Sequence, residues 1–244
     1  MKRRLPLSAA LLLVCVSVLA AQQPNGEAPP LALNSYVGTH IISVPPVEGV
    51  PFSATVVVKS ERPLADGSRE TLGNLNEIGR DARGRTHGEN RLPVPESFSG
   101  EPPLVEVVVY DPQTHLRTVY DVRTHTARQW KQSEPHGGPN APAPQVTIED
   151  LGYRNVEGME ARGTRRTFTI PADKSGTGAP LAVVDEYWYS EDLHLNVLMR
   201  HTDPRIGVKT FTVTRIRREE PPQSFFELEG YRMIDASTQA DMPQ

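Results

Sequence analysis

The sequence predicts an all-β protein, a single curved antiparallel meander sheet or half-barrel with little helix. Three observations predict it. From Phe52 onward, apolar residues recur with period two and are rich in the β-branched types that suit a pleated, half-buried surface. Turn residues interrupt that pattern at short intervals, as at Asp66-Gly67, Asp111-Pro112 and Asp203-Pro204. No segment holds about 10 to 12 residues at the 3.6-residue period of an amphipathic helix.

Taken in order, the chain opens with Lys2, Arg3 and Arg4, followed by an apolar run from Leu5 to Ala20. The run is shorter than the about 20 apolar residues that a comfortable membrane span needs. Val18-Leu19-Ala20 sets a small residue before a cleavage point, and Pro-rich polar sequence follows. Residues 1–20 therefore read as a secretory signal peptide. The mature protein is expected in the periplasm or outside the cell, with no transmembrane span. Losing Lys2, Arg3 and Arg4 moves the formal charge from −4 to −7 and, with Cys15, removes the single cysteine. Leu12-Leu13-Val14 before it is no lipobox. A thiol-free chain rests on core burial for its stability and holds no Cys-based metal site. Its acidic balance argues against nucleic acid as a partner.

Residues 21–51 read as a flexible Pro-rich leader with one short strand over Tyr36 to Val44. A β domain over residues 52–235 follows. In Phe52 to Lys59 one face carries Phe52, Ala54, Val56 and Val58. Ala65-Asp66-Gly67-Ser68 turns the chain into a strand from about Arg69 to Arg80, because Asp-Gly tolerates the positive φ of tight hairpins. After a turn at Asp81 to Gly84, a polar strand runs to about Leu92. Leu104 to Tyr110 is the next strand. Tyr110-Asp111-Pro112-Gln113-Thr114-His115 is then echoed by Tyr120-Asp121-Val122-Arg123-Thr124-His125. The echo reads as two successive turns of a meander, with strands Leu116 to Tyr120 and Thr126 to Lys131, and with His115 and His125 as polar turn exits.

Residues 132–145 hold four prolines and two glycines and form a loop between two halves of one sheet. The second half offers strands at Val146 to Tyr153, Met159 to Ile170, Leu181 to Tyr189, His194 to His201 and Lys209 to Arg217. Pro221 to Phe226 suits one helical turn. Residues 236–244 read as a disordered tail.

Most enzyme chemistry lacks its residues. There is no Gly-x-Ser-x-Gly elbow, and Ser190 and Ser224 sit where turns want serine. None of the seven histidines forms His-x-His or His-Glu-x-x-His, so no metal site is expected. Asp185 and Glu186 are strand neighbours and point to opposite faces, which rules them out as a carboxylate pair on one substrate. No phosphate-cradling Gly-rich loop precedes a helix, and no cofactor is expected. The protein reads as a non-enzyme.

What remains is apolar. Tyr187 shares a face with Tyr189 while Trp188 takes the other. Leu195, Val197 and Met199 form a clean apolar stripe beside Phe211 and Val213. If the sheet interior is open, Tyr187, Trp188, Leu195, Val197, Met199, Phe211 and Val213 are the residues expected to line the cavity. The same stripe also serves an ordinary filled core.

The order Trp188-Tyr189-Ser190, Asp203-Pro204, Pro221 and Ser224-Phe225-Phe226 with Gly230-Tyr231 resembles the C-terminal part of LolA-like proteins, outer-membrane lipoprotein carriers and their relatives. Leu151-Gly152, Val156 to Met159 and Gly163-Thr164-Arg165 are similar to a strand-turn-strand signature of uncharacterised exported bacterial proteins. The resemblance covers roughly residues 145 to 235. It implies a half-barrel whose apolar concave face holds an acyl chain, hence a lipid or lipoprotein as ligand. In that family helices form a lid, and no segment here has that period. Either the sheet closes on itself, its halves pack face to face, or the leader and Pro-rich loop fill the hollow. The alternative function is a structural or interaction module of the cell envelope, with a filled core and an envelope protein as partner.

Overall fold

The period-two segments pair into one 13-stranded sheet, curved and unclosed. The structure is a computed structural model that describes residues 42–132 and 146–234, all within one compact unit, Asn34–Gln244. Its strands are β1 Phe52–Pro63, β2 Arg69–Arg80, β3 Thr86–Arg91, β4 Val94–Pro95, β5 Leu104–Asp111, β6 Leu116–Asp121 and β7 Thr126–Lys131. β8 Val146–Val156, β9 Met159–Ile170, β10 Leu181–Ser190, β11 Leu195–Asp203, β12 Gly207–Arg217 and β13 Arg232–Ile234 complete it. One 3-10 turn, Gln223–Phe225, stands where a helical turn was expected. Among the described residues no helix is long and apolar enough to cross a membrane. The signal peptide, residues 133–145 and the tail from 235 lie outside the described residues. So does most of the strand expected at 36–44, and Ile42–Val44 is irregular.

The spatial order is β13-β7-β6-β5-β3-β2-β1-β12-β11-β10-β9-β8, with β4 on β2. This refines the single meander read from sequence. Two meanders run outward from β1, whose 12 residues pair with β2 on one side and β12 on the other. β7 and β8, consecutive in the chain, therefore lie far apart in the sheet. Every pairing is antiparallel except β13 on β7.

Three hairpins use one device. His115, His125 and His194 each end a four-residue turn with φ near +50° (56°, 51° and 49°). Histidine is among the few non-glycine residues that accept this left-handed region. The echo at His115 and His125 thus has the structural cause read from sequence. His194 was expected to begin a strand, and instead it closes the Glu191–His194 turn before β11.

Two cores form. The larger gathers Phe52, Ala54, Val56, Val58, Ile78, Trp188, Leu193, Leu195, Val197, Phe211 and Val213, with Val156, Met159 and Ala161 at the β8–β9 hairpin and Ile42 from the segment before β1. Arg80, fully buried, ties the segment before β1 and the β10–β11 turn to it. Its guanidinium donates to the carbonyls of Val50 (2.9 Å), Pro45 (2.8 Å) and Leu193 (2.7 Å) and lies 5.1 Å from the centre of the Phe52 ring. Burial pushes its pKa down to about 10.

The smaller core is Val107, Val109 and Phe226, with Leu104, Tyr120, Phe225 and Leu228 packed on it. Here the chain after β12 crosses the sheet. Phe225 stacks on buried His87 at 3.9 Å and Tyr231 stacks on His125 at 5.3 Å. The crossing needs Gly79, since any Cβ there would come within 2.5 Å of the Phe225 ring.

Candidate functional site

Residues paired across antiparallel strands point to the same face, so register alone assembles the site. Val58 pairs with Phe211, Phe211 with Met199, and Met199 with Tyr187. These four apolar side chains come from β1, β12, β11 and β10 and form one row across the sheet. Val58, Phe211 and Tyr187 are buried, and Met199 at the centre is half-buried. Val56 and Val213, paired two residues along, extend the apolar surface at the same face.

The sequence-predicted lining set divides around this row. Tyr187, Met199 and Phe211 belong to it and Val213 adjoins it. Trp188 points to the opposite side of β10 from Tyr187, where it sits over Gly163. A Cβ on Gly163 would lie 2.7 Å from the Trp188 ring, so only glycine leaves room for the indole. The Arg154 guanidinium covers the ring at 3.7 Å. Leu195 and Val197 are reached through a bulge. The β10–β11 register slips between Trp188 and Tyr189, and Ser190 then pairs with Leu195. The slip turns Leu195 toward the Trp188 side of β10. β11–β12 pairing also stops at Leu198 with Thr212. A bulge of this kind bends a strand and re-aims its side chains. Leu195, Val197 and Val213, at most 1% exposed, belong to the same packed core as Trp188.

Two residues further along the same strands lies a second row that sequence reasoning missed. Lys209 pairs with His201, His201 with Asp185, and Asp185 with Arg166. Because each lies two positions from Phe211, Met199, Tyr187 and Thr164 respectively, the charged row shares the face of the apolar one. Lys209 Nζ lies 5.0 Å from the centre of the Phe211 ring, which ties the two rows together. Asp185 is buried, and His201 Nδ1 lies 2.7 Å from its Oδ1. A carboxylate acceptor selects the His201 tautomer with the proton on Nδ1. Burial draws the Lys209 pKa below the ordinary lysine value. Arg166 Nε is buried without a hydrogen-bond partner. The only linear signal for this row was period two in four strands; which strands adjoin, and in what register, is a tertiary fact.

Glu186 lies on the other face, where Arg165 binds both it (2.9 Å) and Glu149 (2.7 Å). Asp185 and Glu186 thus diverge as the strand pattern required. His201 has Asp185 and Lys209 as its row neighbours, not a serine hydroxyl or a cysteine thiol. Among the described residues no three His, Cys, Asp or Glu side chains gather as a metal site.

Comparisons with known proteins add the following. No family model matches the sequence, and no curated protein does. Among solved structures the chain is similar to an uncharacterized conserved protein from Thermus thermophilus, with a TM-score of 0.41 at 13% identity over 77% of this chain and 91% of that one. It is similar to MucB in the Pseudomonas aeruginosa MucA/MucB complex, with a TM-score of 0.39 at 12% identity over 72% of this chain and 55% of that one. The chain thus spans about half of that structure's length. A LolA superfamily protein from Nitrosomonas europaea, the group that the sequence resembled, gives a TM-score of 0.32 at 9% identity, over 74% of this chain and 91% of that one. At such scores these likenesses establish neither a family nor a ligand for this chain.

Proposed function

We propose that this is a non-enzymatic, exported envelope protein that binds an apolar ligand, a lipid or the acyl chain of a lipoprotein, along the Val58–Phe211–Met199–Tyr187 row. One observation carries the reading: four neighbouring strands set apolar side chains in line on one face of an unclosed sheet, with Met199 half-exposed at the centre. A methylene chain shielded there gains about 0.8 kcal/mol per CH₂. The thioether of Met199 is unbranched and polarizable, and it adapts to chains of different shape. Packed beside it in one core, Leu195, Val197 and Val213 support the row.

Native mass spectrometry of the protein purified from its own envelope tests this. The expected spectrum carries an additional mass that organic extraction releases as an acyl compound. A ligand-free mass, together with no thermal shift on adding fatty acids, overturns it.

The near-complete burial of Leu195, Val197 and Val213 also favours a second reading, an interaction module with a filled core. That reading expects a stoichiometric envelope protein on pulldown and no acyl mass.

A further inference from the structure

The row that carries the apolar residues continues past Val58 onto β2. Val58 pairs with Asn74 there, and Val56 pairs with Asn76, so two asparagines extend the same face. Both are buried, with 7% and 1% of their surface exposed. At this point the sheet parts. β2 pairs with β3 at Ile78, Gly79 and Arg80 and with β4 at Leu72 and Gly73, and residues 74–77 lie between those two stretches. In place of a strand ladder, the two side-chain amides hold the backbone of Arg91. Asn74 Nδ2 donates to the Arg91 carbonyl, and the Arg91 N–H donates to Asn76 Oδ1 at 2.9 Å. These bonds fix the orientation of both amides, since a flip would set oxygen against oxygen or N–H against N–H. The remaining atom of each is then a defined group, an acceptor in Asn74 Oδ1 and a donor in Asn76 Nδ2. Neither has a hydrogen-bond partner among the described residues. A buried polar atom without a partner is costly, and this pair holds two of opposite kind.

Resting on the apolar-ligand reading, we propose that Asn74 and Asn76 bind the head of that ligand and that the head is a secondary amide, so that the preferred ligand is an N-acyl compound. The amide N–H donates to Asn74 Oδ1, and its carbonyl accepts from Asn76 Nδ2. The two asparagines stand two positions apart on one strand, roughly 7 Å. A trans amide carries its N–H and C=O on different atoms that point opposite ways, across the axis of an extended chain. A chain that runs across the strands therefore aims them along β2, one toward each asparagine. A hydroxyl has its donor and acceptor on a single oxygen. A carboxylate only accepts, and it would set its charge against Asn74 Oδ1. From the head the tail crosses Val58, Phe211, Met199 and Tyr187, which spans three strand spacings or roughly 14 Å.

Calorimetric titration of the delipidated full chain with N-methyldodecanamide, methyl dodecanoate and dodecanoate, equal in acyl length, reads head and tail separately. The ester keeps the carbonyl and lacks the N–H. Wild type is expected to bind the amide roughly tenfold more tightly than the ester, the scale of one hydrogen bond to an otherwise unpaired buried acceptor. Dodecanoate is expected to bind no more tightly than the ester. Asn74→Leu removes the acceptor and is expected to bring the amide down to the ester affinity while leaving the ester unchanged, with far-ultraviolet circular dichroism confirming the fold. The ranking of the three probes on wild type needs no variant and decides the matter if Asn74→Leu does not fold. Equal wild-type affinity for amide and ester leaves the pair to buried water, which overturns the head site and leaves the apolar row standing. Tighter binding of dodecanoate than of the amide, or an amide preference that survives in folded Asn74→Leu, overturns it in the same way. If no probe binds, the apolar reading itself fails and the head site goes with it.

Discussion

The two sides of β1 bury their apolar surface by different means. On the β12–β8 side the sheet makes its own core. Register slips at Ser53/Thr55 and Trp188/Tyr189 bend the strands, and Trp188, Leu195 and Val197 turn inward to meet Phe52, Val56 and Val213. On the β3–β7 side the strands run without such a fold-over from β5 to β7, and the chain after β12 supplies the cover through Phe225, Phe226 and Tyr231. The comparison teaches that a curved sheet without helices has two routes to a core: bending onto itself, or borrowing an irregular strap. The bent side is also the side that carries the apolar and charged rows, because bending turns one face of several strands toward a common space.

If the bent side depends on Arg80 to fasten its edges, Arg80→Ala has the largest effect. It frees the carbonyls of Val50, Pro45 and Leu193, the last of them buried, and the Phe52 ring. A loss of about 4 kcal/mol is expected, read as a fall in the urea midpoint at unchanged m value. Phe226→Ala removes the centre of the strap core and is expected to cost about 3 kcal/mol. Hydrogen exchange sharpens the contrast. Amides of β5 to β7 should lose protection in Phe226→Ala while those of β10 to β12 keep theirs, and uniform loss would show that the two sides do not open separately.

Acid should strike the strap side as well. Burial is the larger cause that pushes the His87 pKa down to about 4, against Glu89 and the Phe225 backbone, which raise it. The neutral ring is thus the folded form, whereas the unfolded chain takes up a proton near pH 6.5. Stability from this site is complete above that pH and falls as pH drops toward 4, by at most about 3 kcal/mol. His87→Phe should flatten urea midpoints measured between these pH values, and an unchanged slope would remove His87 as the cause. The smallest effect separates the two faces of β1. Val56, 1% exposed, is expected to cost about 2 kcal/mol on change to alanine, and Val57, 37% exposed, about 0.5 kcal/mol or less.

Much of this architecture was legible from residue types alone. Arg69–Arg80, Thr126–Lys131 and Met159–Ile170 begin and end where alternation and turn chemistry placed them. The opposite orientations of Asp185 and Glu186, and of Tyr187 and Trp188, follow from period two and need no neighbour. Whatever depends on which strands adjoin was not legible. The junction of β1 with β12, 159 residues apart where Thr214 Oγ1 donates to the Thr55 carbonyl, leaves no local trace. The slip at Trp188/Tyr189 adds one residue without a glycine or proline to mark it. The charged row exists only once four registers are known. His194 misled because an apolar stripe begins immediately after it, and nothing in the residue distinguishes a strand start from a left-handed turn end.

The most direct test of the central claim uses the methionine methyl groups as reporters. With ¹³C-methyl methionine, Met199 sits at the centre of the apolar row, and Met233, 55% exposed on β13, serves as the internal reference. Adding dodecanoate should shift the Met199 methyl resonance saturably and leave Met233 in place. A Met199 resonance that stays fixed, or one that moves only in parallel with Met233, would contradict a ligand lying along this face.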